Sequence, residues 1–162
     1  MTYGMAIYYS VWMVSWRVFG GLFTVYYLIY PFIEAVTFFG GISYLWHAWC
    51  DPRDVNNPYV DSVTIVDGKD NIFNEDYHVV HHTKPLVHWS DYPKSYAELI
   101  DEYRRFNACV FSDCEEGQML YWLLAEKWDE MAKHMVDLSG KLSHEEKKKL
   151  CLERLRSRLQ QN

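Results

Sequence analysis

Four of the chain's seven histidines fall within sixteen residues, NEDYHVVHHTKPLVHW, positions 74–89. Three of them, His78, His81 and His82, have H-x-x-H-H spacing. On a helix, positions i, i+3 and i+4 share a face, so these imidazoles point broadly the same way within about one turn. Neutral imidazole is the commonest protein metal ligand, and three on one stripe can converge on one or two ions. Val79 and Val80 face elsewhere and are free to pack the helix down, and Glu75 and Asp76 are the nearest carboxylates able to orient a ring. Structural zinc sites usually recruit cysteine, whereas an all-imidazole set also suits iron or copper; the spacing alone does not choose. The plainer reading of the same run is a solvated helix face that is rich in histidine.

The local elements follow from short-range signals. Asn74 offers an N-cap, Glu75 and Asp76 suit a first helical turn, and the helix runs through His82 and stops before Pro85. Upstream, CDPRDVNNPY at 50–59 is a turn cluster, SVTIV at 62–66 is a short extended piece, and Asp67-Gly68 turns the chain again. Downstream, capping boxes Ser95/Glu98, Ser112/Glu115 and Ser143/Glu146 open three helices, the second running through Met135. Leu152, Leu155 and Leu159 share one face of the last helix, whose lysine triplet reads as solvated.

What holds these elements is set by an uneven distribution of charge. The net charge is −6, and residues 1–50 carry only Arg17 and Glu34 of all the Lys, Arg, Asp and Glu. The mean hydropathy of −0.27 therefore averages two unlike halves. A bilayer core needs roughly 20 apolar residues per helical crossing, so residues 1–50 predict about two crossings, 4–29 and 32–49, bent at Pro31. The first is one long helix or is broken near Gly20-Gly21, with Arg17 costly in its middle. The positive-inside rule places everything after residue 50 in the cytosol. The start lacks the basic n-region and small-residue cleavage site of a secretory signal. Cys50, Cys109, Cys114 and Cys151 form no C-x-x-C pair and read as free thiols. An acidic balance argues against nucleic acid as a partner. The expected fold is mainly α, with transmembrane helices in 1–50, a cytosolic histidine region in 51–94 and a cytosolic helical region in 95–162.

The run 74–89, and the stretch YLWHAWCDPRDVNNPYVDS before it, resemble the last histidine box of the membrane fatty acid desaturase and hydroxylase superfamily. The resemblance covers roughly residues 25–95. It implies a di-iron, non-haem oxidoreductase of lipid metabolism. Such an enzyme uses O2 and electrons from a separate donor to attack unactivated C–H bonds of acyl chains, on membrane lipid or an acyl carrier. By the same resemblance His78, His81 and His82 are iron ligands, His47 is an additional ligand, and the box faces the cytosol, at the endoplasmic reticulum in a eukaryote. His88 lies outside the box beside Trp89, and His134 and His144 read as surface residues. The family carries two earlier boxes, and this chain has no histidine before His47. The expectation is therefore that these residues are the C-terminal portion of a desaturase-like protein whose N-terminal half lies elsewhere. The alternatives are a non-catalytic membrane scaffold and a zinc- or copper-binding membrane module that keeps the histidine cluster.

Overall fold

Gly20 ends the first helix. The computed structural model describes residues 2–51, 53–54 and 56–159, with the side chains of Thr2 and of residues 156–159 outside the description, so the apolar-face reading at Leu159 lies beyond it. Helix α1 (Thr2–Phe19) stops where Gly20 takes φ 88°, a conformation that only glycine adopts without strain. Helix α2 (Gly21–Trp46) begins at the next residue. The broken form of the first apolar stretch is thus the observed one. α1 folds back on the start of α2: Thr24 Oγ1 donates to Ser15 Oγ at 3.0 Å, and Tyr8 and Trp12 both meet Phe32. Ser15 and Thr24 are buried, and hydroxyl pairs of this kind join helices where no water competes. Trp16 lies across Gly21 so closely that a Cβ there would sit 2.8 Å from its ring.

The helix runs on through Pro31. Residues Val25–Ile29 form a π turn that includes Tyr27, whose carbonyl the Pro31 ring would strike in a regular α-helix. One continuous helix results. Among the described residues one helix, Gly21–Trp46, is long and apolar enough to cross a membrane, where the sequence predicts two crossings with other boundaries. Only 6% of its apolar window is buried, which is the opposite of a soluble core helix. The Tyr, Trp, Ser and Arg side chains of α1 make that helix less apolar. Arg17 sits in its last turn, not in the middle of a span, and there a cation favours the helix dipole.

The chain divides into two compact units, Met1–Gly41 and Ile42–Asn162. The charge pattern divides it at residue 50, and the expected histidine region ends at 94. The difference arises because Ile42 and Leu45 in the last turn of α2, and Ala48, Trp49 and Cys50 after it, are buried in the second unit.

Within that unit, helix α3 (Pro58–Asp61) leads into strand β1 (Thr64–Val66), which pairs in parallel with β2 (Val110–Ser112) in the register Thr64↔Val110, Ile65↔Phe111, Val66↔Ser112. Parallel strands need a long crossover, and this one carries α4 (His78–Thr83), α5 (Tyr92–Glu98) and α6 (Ile100–Phe106). The crossover therefore ties the histidine helix to the sheet. Alternation along the strands gives two cores. Ile65 and Phe111 pack with Leu45, Trp49, Met119 and Met131, and Val110 packs with Val79, Ala108 and Tyr103. Helices α7 (Glu116–Leu124), α8 (Trp128–His134) and α9 (His144–Leu159) complete the unit. The four cysteines are buried, and no disulfide joins them among the described residues.

Several local signals resolve differently from the sequence reading. Ser143 and Glu146 form the expected box, the Ser143 hydroxyl donating to Glu146 at 2.7 Å and accepting from its backbone N–H at 3.4 Å. Ser112 instead ends β2, and Glu115 with Gln118 caps α7. Ser95 is buried inside α5, which starts earlier at Tyr92. The predicted helix through Met135 is split. Glu126 takes φ 55°, and Lys127 N–H donates to Trp122 O at 2.8 Å, which is the six-to-one bond of a Schellman stop.

Candidate metal centre

Two anchors bring the histidines together. His47 follows directly on α2, between Leu45 and Trp49, both fully buried, and Trp49 Nε1 donates back to Leu45 O at 3.1 Å. His78, His81 and His82 lie on α4, which Val79 and Val80, both 0% exposed, press onto the unit's interior. The helix starts later than its sequence signals imply. Asn74 has φ 54° and reaches Trp89 O with its side-chain amide, so it caps nothing, and Glu75 and Asp76 precede the helix.

His47, His78 and His82 form one cluster, with one ring nitrogen of each within 4.8 Å of the others. His78 Nε2 lies 3.2 Å from His47 Nε2 and 3.2 Å from His82 Nε2. Imidazole nitrogens about 2.0–2.1 Å from a tetrahedral ion would stand about 3.3 Å apart, so this spacing suits a shared ion. The tautomers suit it too. A backbone carbonyl only accepts, so the 3.2 Å contact between His47 Nδ1 and Asp61 O places the proton on Nδ1 and leaves Nε2 as a lone pair facing its neighbours. Burial, reinforced by the neighbouring imidazoles, lowers the His78 pKa to about 3, so the ring is neutral at physiological pH. Burial also lowers that of His82.

His81 is close by but turned differently. Its ring centroid is 5.5 Å from those of His78 and His82, while its Nδ1 lies 3.2 Å from the Tyr92 hydroxyl. Of the four ligands that the resemblance implies, the structure gathers three in one cluster and leaves His81 beside it. Trp46 stacks on His78 with ring centroids 4.3 Å apart and planes at 21°, and its indole Nε1–H donates to Glu116 Oε1 at 2.6 Å. Trp46, Glu116, Tyr92 and the Asp61 carbonyl are parts of the site that the sequence reading missed. Glu116 lies 70 residues from Trp46, and no local pattern announces that contact.

Neither nearby acid hydrogen-bonds a histidine. Glu75 bounds a cavity of about 480 Å³ shared with His78, His81 and the aromatic rings of Trp46, Phe73, Trp89 and Tyr92. Asp76 is buried, and burial, with Glu116, Glu115 and Glu75 around it, raises its pKa to about 7. The other histidines have structural places. His88 caps the turn Trp89–Asp91, and His134 stacks on Trp122 with its Nδ1 on Ser112 O. His144 is exposed beside Asp129, which already pairs with Lys148 at 2.7 Å.

The fatty acid desaturase family model matches residues 1–112. The chain belongs to the fatty acid desaturase family. The matched region ends with β2 and contains α1, α2 and all four histidines of the site. No curated protein and no solved structure matches the chain. Desaturases are membrane-associated and generally depend on di-iron, and this member brings one helix able to span a bilayer and a histidine cluster able to hold a metal.

Proposed function

We propose that this desaturase family member oxidises the hydrocarbon chain of an acyl group, on a membrane lipid or an acyl carrier, at the cytosolic face of the membrane. In a eukaryote that membrane is the endoplasmic reticulum. The supporting observation is the convergence of three imidazoles, His47, His78 and His82, in a chain of this family. These three would hold iron. Bound iron supplies the activation of O2 that removal of hydrogen from an unactivated carbon requires, which side chains alone cannot provide.

The chain's own residues do the remaining work described here. The Asp61 carbonyl keeps the His47 proton on Nδ1, so that its Nε2 presents a lone pair, and burial keeps His78 uncharged. The aromatic walls of the cavity beside His78 and His81 suit a hydrocarbon segment. His81 remains beside the cluster as a ligand for a second iron. Electrons come from a separate donor.

The test is His82→Ala introduced into the endogenous protein, with acyl products followed by mass spectrometry of total lipids. The oxidised product disappears if this reading holds. An unchanged profile removes the assignment. One zinc per chain with unchanged lipids would favour the metal-binding module instead.

A further inference from the structure

The region after the family match supplies a residue to the site. His78 is the central ring of the cluster, in contact with both His47 and His82 through Nε2. His47 is oriented by the Asp61 carbonyl and His81 by the Tyr92 hydroxyl. For His78 the neighbour that fixes the ring plane is Trp46, stacked at 4.3 Å. Trp46 lies in the last turn of α2, and its indole could slide along the imidazole face were nothing holding its far edge. Glu116 holds that edge at 2.6 Å, a short bond between an indole N–H and a carboxylate.

We infer that Glu116 is a positioning residue for the metal-binding histidines, fixing the Trp46 indole that in turn fixes the plane of His78. The site proposed above is the basis of this inference. Glu116 sits among opposing influences. It occupies the first turn of α7, where backbone N–H groups favour an anion. Burial and the carboxylates of Glu75 and Glu115 raise its pKa, and the Trp46 hydrogen bond opposes them. Glu115 and Gln118 cap α7 independently, so the helix start does not depend on the Glu116 side chain. Through this contact α7, which lies beyond the matched residues, becomes part of the site.

The experiment titrates the full chain, purified in detergent, with cobalt(II) and follows its visible absorption bands, which report both affinity and ligand geometry. Glu116→Ala is expected to weaken binding about ten-fold and to broaden the bands, the lower end of what loss of a ligand-orienting contact does. Glu116→Gln keeps an acceptor oxygen for the indole and restores wild-type affinity. Trp46→Phe keeps an aromatic ring and removes the N–H, so adding Glu116→Ala to it causes no further loss. Unfolding curves recorded on each variant separate loss of fold from loss of position. Wild-type affinity in Glu116→Ala, or an undiminished effect of Glu116→Ala in the Trp46→Phe background, overturns the inference and leaves the metal site standing. Binding that is the same in wild type and His78→Ala overturns the metal site itself, and the inference with it.

Discussion

His78 and His81 lie less than one turn apart on α4 and meet different surroundings. His78 is 7% exposed, stacked on Trp46 and pointed at two other imidazoles. His81 is exposed and faces the Tyr92 hydroxyl. The i, i+3, i+4 rule places side chains on a common face but leaves each ring's rotation to its neighbours. The two histidines therefore respond differently to substitution. In a titration with a single equivalent of metal, His78→Ala loses high-affinity binding, while His81→Ala retains it with at most a modest weakening. Equal losses in calorimetry would show that His81 shares the first ion. The motif itself was legible in the sequence, and the family resemblance pointed to His47, which lies beside His78 and His82. The partition of the histidines was not, because it depends on Asp61, Tyr92 and Trp46, which reach the site through tertiary packing.

Elements with a self-contained signal were legible. The extended piece at 62–66 contains β1, the Asp67-Gly68 turn follows it, and the Ser143/Glu146 box opens α9. Others depended on backbone conformations that their residue types do not advertise. Asn74 and Glu126 both take positive φ, which cancels one predicted helix start and splits one predicted helix. Strand β2 is three residues long and is defined by its partner β1 rather than by its own pattern. The loop before α9 offers a test of such local chemistry. Asp137 accepts from Ser139 N–H at 2.9 Å, Ser139 Oγ at 2.6 Å and Leu142 N–H at 2.7 Å. Burial opposes ionisation there, and these bonds overcome it, so the folded-state pKa falls from 3.8 to about 2. A depressed carboxyl pKa stabilises the fold above the unfolded value and ceases to do so as pH falls through the folded one. Asp137→Asn is thus less stable than wild type at neutral pH. The gap closes between pH 3.8 and about 2, as followed by denaturant unfolding across that range. A gap independent of pH would place the effect elsewhere.

At the scale of the whole molecule, two physical solutions are joined in one chain. The unit Met1–Gly41 buries few of its side chains and exposes Ile7, Val14, Phe19, Leu22 and Phe38, a surface suited to hydrocarbon. The unit Ile42–Asn162 buries its apolar residues around a short parallel sheet whose crossover carries the histidine helix. The charge asymmetry made this contrast readable, although the packing boundary lies nine residues before the charge boundary because α2 ends inside the second unit. The proposed function needs a metal held by His47, His78 and His82. The most direct measurement is elemental analysis of the intact chain purified from membranes, beside its His78→Ala and His82→Ala variants. Bound iron in the wild type and background iron in both variants, each still folded, is the expected result. Wild-type protein that carries no metal yet oxidises acyl chains, or variants that keep the full wild-type complement, would contradict it.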